Sequence, residues 1–290
     1  MKFVLAPDSF KESMTSKEAC DAMEKGIKKV VKNAEIIKVP MADGGEGTVE
    51  ALVTSTNGEF IETLVTHPLG REKVKARYGI LGDGSKAIIE MAEASGIQLV
   101  KREERNPYIT TTYGTGELIL DAINRGVKHI LIGIGGSATN DGGAGMIQAL
   151  GGRLLDSEGN NLPFGGKALE NIEKIDLSNL DKRLKDIKFE VACDVTNPLI
   201  GEKGASRIFG PQKGATEEMI VVLDNALKNY SEVIKRDLGI DITYEEGAGA
   251  AGGLGGALLA FLNAELKKGI ELVIKHTNLN EKINGADFVF

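Results

Sequence analysis

The chain of 290 residues carries 35 Lys and Arg against 42 Asp and Glu, a formal net charge of −7 with a pI near 5.3. That balance excludes a general nucleic-acid binder or a polybasic membrane surface, since both need clustered positive charge. Mean hydropathy is −0.09, and no run approaches the roughly 18 apolar residues that suggest a membrane span.

Lys2–Ala6 reads as a short buried strand followed by a polar loop. Thr15 and Glu18 have capping-box spacing, and Ala19, Met23, Ile27 and Val30 keep a helical step behind them. Glu35–Val39 looks like a second strand, followed by a loop and a helix through Thr56, with Gly58 expected as its stop. This β-α-β-α opening is that of a parallel, helix-covered sheet. Phe60–Thr66, Val74–Leu81 and Lys86–Met91 then read as strands, the last two joined through Gly82–Ser85 as a hairpin. Further on, helices are expected at 117–124, 144–150, 217–236 and 255–266. Strands are expected at 128–134, 187–192 and 272–275. The last residues, Ala286–Phe290, look like a strand that has only begun.

Start and composition add two expectations. The first residues lead straight into a strand, so no secretory signal is expected. Cys20 and Cys193 stand far apart, which fits a reducing cytoplasm and no disulfide framework.

Glycine is abundant, 37 residues, and clusters beside apolar runs as in backbone-lined loops. Four loops follow strands and are rich in small and acidic residues: 6–13 (with Asp8, Ser9 and Lys11), 40–48 (with Asp43), 133–145, and 192–198 (with Asp194). In a parallel α/β sheet the carboxyl ends of the strands form the ligand crevice. The third loop has the chemistry of a phosphate cradle. Gly135 and Gly136 let backbone amides approach an anion, Ser137, Thr139 and Asn140 add polar groups, and Asp141 leads into a helix N-terminus. A tight strand-to-helix turn is the alternative. Asp8, Asp43, Asp141 and Asp194 each suit an N-cap as well as a site, and if they converge they suit Mg²⁺ and general-base work on a hydroxyl. Lys11, Arg105 and Lys213 are candidate partners for an anion. The run Thr110–Glu117, including Thr112, reads as a second anion site or as a set of side-chain caps. Gly133-x-Gly135-x-x-Ala138 and Gly247-x-Gly249-x-x-Gly252 match the dinucleotide fingerprint weakly, and Asp156 is loosely placed as a ribose acid. A dinucleotide-dependent oxidoreductase is therefore the rival reading. His67, His129 and His276 show no metal-ligand spacing and are expected to be structural. No Walker A motif and no Gly-x-Ser-x-Gly elbow occur.

Taken together, Ala6–Ser13, Ala42–Thr48, Thr110–Glu117, Ile132–Gly145, Val191–Asp194 with Asn197-Pro198, Phe209–Thr216 and Gly247–Gly256 resemble, in order, the blocks of the type-1 glycerate kinase family. The resemblance implies ATP-dependent phosphorylation of D-glycerate with Mg²⁺, with the 2-phosphate favoured over the 3-phosphate. It implies an α/β fold of two domains with the site in the cleft between them. One would be a Rossmann-like parallel sheet domain from 1–59 and 286–290. The other would be an inserted α/β domain, 60–285, containing the hairpin. Asp43 or Asp194 would be the base, supported by Lys11 and Asp8. Residues 135–137 and 139–141 would hold the nucleotide phosphates, and Asp194 with Asp141 the metal. Ser9, Arg105, Thr112 and Lys213 would hold the substrate. The expected partners are small molecules, with neither nucleic acid nor membrane, for a cytoplasmic monomer or homodimer. Members of the family continue past the strand begun at Ala286, so truncation is expected. With it come an exposed apolar edge near Val4 and Val289 and doubt about turnover, a catalytically incompetent fragment being the other alternative.

Overall fold

The structure is a computed structural model that describes residues 1–10, 12–45 and 47–290. In chain order the strands and helices are β1 (Lys2–Leu5), α1 (Ser16–Val30), β2 (Glu35–Lys38), α2 (Thr48–Thr56), β3 (Glu59–Thr66), β4 (Lys73–Ile80), β5 (Lys86–Glu90), α3 (Ala92–Ser95) and α4 (Tyr113–Asn124). They continue with β6 (His129–Gly133), α5 (Ala144–Ala149), β7 (Arg153–Leu155), β8 (Lys174–Asp176), β9 (Lys188–Ala192), α6 (Ala205–Phe209) and α7 (Glu217–Leu238). The chain closes with α8 (Ala250–Leu262), β10 (Glu265–Lys267), α9 (Gly269–His276), α10 (Leu279–Lys282) and β11 (Phe288–Val289).

This α/β fold holds a small parallel sheet, β11-β1-β2, and a six-stranded sheet, β10-β9-β6-β5-β4-β3. In the larger sheet β10, β9, β6 and β5 are parallel, and β4 and β3 are antiparallel additions. β7 and β8 form a separate antiparallel pair, which the sequence reading did not anticipate. Alternation along the strands divides the core. Ile89, Ile130, Ile132, Phe189 and Val191 pack with α4, α5 and α8 on one face. Ile88 and Leu131 face the other way, toward Val49, Leu52 and Val273 of α2 and α9. That cluster also holds Val4 and Val39, so α2 lies between the two sheets. On the outer face of the small sheet, Phe3 and Leu5 meet Cys20 of α1.

The capping box that opens α1 is present: Glu18 N donates to Thr15 Oγ1 at 3.2 Å, and Thr15 N donates to Glu18 Oε2 at 2.8 Å. Several expectations are corrected. Residues 272–275 are helical, not a strand, because Leu272 and Val273 form the buried stripe of α9. At the end of α2 it is Asn57 that turns left-handed, with φ 55°. Gly58 is required for space beside the Ile80 carbonyl. The helix expected at 255–266 begins at Ala250 and breaks through Ala251–Gly253, all at positive φ, and residues 265–267 form β10. Val4 is fully buried between β2 and β11, so it is no edge; Val289, 54% exposed, is on one. Among the described residues no helix is long and apolar enough to cross a membrane.

Candidate active site

β5, β6 and β9 end at Glu90, Gly133 and Ala192, in register along one edge of the sheet. Two adjoining cavities lie there. The larger, about 840 Å³, is lined by Asp8, Ser9, Asp43, Gly45, Glu50, Arg77, Glu90 and Glu93 among others. The smaller, about 240 Å³, is lined by Asp43, Gly44, Gly45, Gly135, Gly136, Ser137, Cys193, Asp194 and Gln212 among others. Asp43 and Gly45 belong to both walls. Asp8, Asp43, Ser137 and Asp194, far apart along the chain, thus meet at one crevice.

The contact that holds the two central aspartates together is glycine against glycine. Gly44, at φ 101°, packs on Gly269, and a Cβ added to either would come within 2.5 Å of the other's Cα. Asp194 Oδ1 accepts from Gly269 N at 3.0 Å. The first residue of α9 is therefore a pin between the Asp43 loop and the Asp194 loop. Asp43 Oδ1 accepts from Gly45 N at 2.9 Å, and Asp8 Oδ1 accepts from Ser9 N at 2.6 Å. Each of the three carboxylates spends one oxygen fixing its own geometry. Among the described residues Oδ2 of each has no protein partner. All three are solvent-exposed.

The glycine loop divides in two. Gly135, Gly136 and Ser137 face the smaller cavity. Thr139, Asn140 and Asp141, expected around phosphate and metal, turn into the protein and are fully buried. Both oxygens of Asp141 are engaged inside the protein. It accepts from Thr112 N (2.8 Å), Thr112 Oγ1 (2.9 Å), Gly143 N (3.2 Å) and Gly145 N (3.2 Å). Burial pushes its pKa up, against the pull of those four donors. Its work is to join the start of α4 to the start of α5. Thr112, expected to hold substrate, is the other half of that joint. Met146 N also donates to its hydroxyl at 3.0 Å. Elsewhere in Thr110–Glu117, Thr111 Oγ1 accepts from Tyr113 N at 3.2 Å and Thr110 Oγ1 donates to the Ala138 carbonyl at 2.9 Å.

Lys213 and Arg105 are likewise not among the cavity-lining residues. Lys213 is buried and donates to the Thr139 carbonyl at 2.6 Å, with its pKa pushed down to about 7 by burial. Arg105 donates to the carbonyls of Val100 and Gln212, both at 3.4 Å. Lys11 lies outside the described residues. The second glycine fingerprint is a packing device, since Gly252 O accepts from Gly142 N at 3.0 Å. No strand precedes it, which removes the second of the two matches behind the oxidoreductase reading.

Sequence reasoning passed over Glu50, Glu90, Glu93 and Arg77 in the larger cavity. Glu90 ends β5 and accepts from Val49 N at 3.0 Å; Glu93 accepts from Arg77 N at 3.0 Å. The signal available was position: Glu90 sits at the carboxyl end of a strand, as the chosen aspartates do. Asp8, Glu12, Glu18, Asp43, Glu50, Glu90 and Glu93 outnumber Arg77, the single basic residue among the described lining. A wall so acidic repels an anionic substrate unless a hard cation lies between them, and oxygen ligands of this kind fit Mg²⁺.

A parallel α/β enzyme with backbone amides, hydroxyls and aspartates around one crevice defines the class. Over residues 3–290 the chain matches the glycerate kinase family, and it belongs to that family, whose members are phosphotransferases. It is 58% identical over 289 residues to the glycerate 2-kinase of Escherichia coli K12, covering 100% of this chain and 76% of that one. It is 55% identical to a glycerate kinase of Bacillus subtilis 168, covering 75% of that chain. A presumptive glycerate kinase 2 from Salmonella typhimurium LT2 superposes with a TM-score of 0.98 at 54% identity, covering 100% of this chain and 77% of that structure.

Proposed function

We propose that this chain transfers the γ-phosphoryl group of ATP to D-glycerate, with Mg²⁺, giving 2-phosphoglycerate. The observation that carries the reading is the shared wall of Asp43 and Gly45 between a cavity with amide and hydroxyl donors and a larger acidic one. The amides of Gly135 and Gly136 with the Ser137 hydroxyl receive phosphate oxygens, as donors fixed in advance for charge that develops in the transition state. Asp43 or Asp194 accepts the proton of the attacking hydroxyl. Asp43 sits on the dividing wall and Asp194 on the wall of the smaller cavity, each with one oxygen held and the other without a partner among the described residues. Asp8 and whichever of Asp43 and Asp194 is not the base would hold Mg²⁺, which would neutralise charge between the carboxylate wall and the phosphates. Ser9 hydrogen-bonds the substrate in the larger cavity. The 2-position is supported by the name of the Escherichia coli relative.

Two further parts of the reading rest on the same structure. The small sheet of 2–5, 35–38 and 288–289 supports one domain from 1–59 and 286–290 and a second from 60–285. The free thiols of Cys20 and Cys193 suit the cytoplasm.

The test is an ADP-coupled assay of the whole chain with D-glycerate, with Asp43→Asn and Asp194→Asn, and ³¹P NMR of the product. The base loses kcat by roughly 10²–10⁴-fold, and the product resonance is that of the 2-phosphate. If both variants keep near-normal kcat, the site assignment fails. A 3-phosphate product removes the regiochemistry alone.

A further inference from the structure

Two of the three histidines meet. His129 is the first residue of β6, at the opposite edge of the sheet from the crevice, and His276 is the last residue of α9. Between them stands Glu190 of β9, fully buried on the sheet face that α9 covers. Its two oxygens are used differently. Oε1 accepts from Lys267 Nζ at 2.5 Å and Lys275 Nζ at 2.8 Å. Oε2 lies 2.7 Å from His129 Nε2 and 3.0 Å from His276 Nε2. The closer approach is not a hydrogen bond, because its angle leaves His129 Nε2 a buried nitrogen with no partner. Such an atom in a folded protein asks for a reason.

We propose that His129 Nε2, Glu190 Oε2 and His276 Nε2 form a binding site for one borderline transition-metal dication of the Zn²⁺ kind, with water as fourth ligand. All three ligand atoms lie within 4.8 Å of one another. Zinc bonds to nitrogen and oxygen of about 2.0–2.2 Å put tetrahedral ligand atoms about 3.3 Å apart. The two nitrogen–oxygen separations need to open by only a few tenths of an ångström. The rings stand 5.3 Å apart at 70° and converge on one oxygen. Burial holds both imidazoles below their usual pKa, which favours the neutral form that ligates. Two imidazoles and one carboxylate select Zn²⁺, Co²⁺ or Fe²⁺ over the all-oxygen Mg²⁺ of the crevice.

The lysines set the strength of the site. Lys267, Lys275 and, at 3.8 Å from Oε1, Lys188 bring positive charge beside the metal position. They act through Oε1 and leave Oε2 to the imidazoles. Their repulsion weakens binding without blocking it, and Lys275, 50% exposed, can swing into solvent. Removing it must tighten the site.

The experiment is a Co²⁺ titration of the chelator-stripped full chain, followed by the visible d–d bands of four-coordinate cobalt and by Zn²⁺ competition. One equivalent binds, and Zn²⁺ bleaches the bands. His129→Gln and His276→Gln each weaken binding by roughly a hundredfold or more. Lys275→Met strengthens it by roughly tenfold, and Asp43→Asn leaves it unchanged. No four-coordinate spectrum, or wild-type affinity in either histidine variant, overturns the proposal. Should those variants fail to fold, unchanged or weaker binding by Lys275→Met overturns it.

Discussion

Gly269→Ala probes the contact that sets the two central aspartates side by side. The new Cβ would lie 2.5 Å from Gly44 Cα and closer still to the Asp43 carbonyl oxygen. An ordinary carbon–carbon contact is about 3.5 Å or more. The Asp43 loop or the start of α9 must therefore retreat by about 1 Å, and the Gly269 N–H bond to Asp194 moves with it. Overpacking of this kind costs about 1–3 kcal/mol of stability, which leaves a folded protein. A misplacement of about 1 Å between reacting groups costs roughly 10²-fold in rate, or about 2.7 kcal/mol of barrier. The expected variant is folded by circular dichroism and melts a few degrees lower. In the ADP-coupled assay it loses roughly a hundredfold in kcat/KM. Gly26→Ala is the control. A Cβ on this exposed α1 position meets nothing within 4 Å, so activity stays unchanged and stability rises by about 0.5–1 kcal/mol. If Gly269→Ala keeps kcat/KM within about threefold of wild type, Gly269 does not position the aspartates.

Lys213 makes stability depend on pH. Its folded pKa, pushed down to about 7, lies below its ordinary value of 10.5, so the unfolded chain binds more protons between the two, and unfolding free energy rises with pH across that window. In Lys213→Met that rise disappears; urea melts at pH 7, 8.5 and 10 that give parallel slopes for both proteins contradict it. Asp141→Ala strands four donors in the interior and lowers stability by at least about 3 kcal/mol, while Asp8→Ala, at the surface, stays within about 0.5 kcal/mol; equal melting temperatures for the two variants would refute this. Burial pushes the Cys20 thiol up to about 11 and raises Cys193 as well. Native protein at pH 8 therefore takes up iodoacetamide far more slowly than urea-unfolded protein, as intact mass measures.

Much of the crevice was legible because its chemistry is local. A strand end, a glycine and an aspartate are read together, and Asp8, Asp43, Ser137 and Asp194 do converge. What the sequence does not carry is direction. Nothing in Ser137–Asp141 says that the loop turns inward after Ser137, because the cause is a contact with Gly252 and a bond from Lys213, both remote in sequence. Asp141 carries the signature of a ligand and of a cap alike, and only its four donors decide. α9 was misread because a short apolar run fits either period. The pairing of His129 with His276 follows from the register of β6 on β9 and the lie of α9, and neither is encoded in the spacing of histidines.

One carboxylate capping two helices ties their fates. Since Asp141 serves the amides of Thr112, Gly143 and Gly145, neither α4 nor α5 can keep its first turn after the other has let go. Those amides should exchange with deuterium in a single concerted opening, and the rim that presents Ser137 to the crevice should loosen with them, as one cooperative unit of the native state.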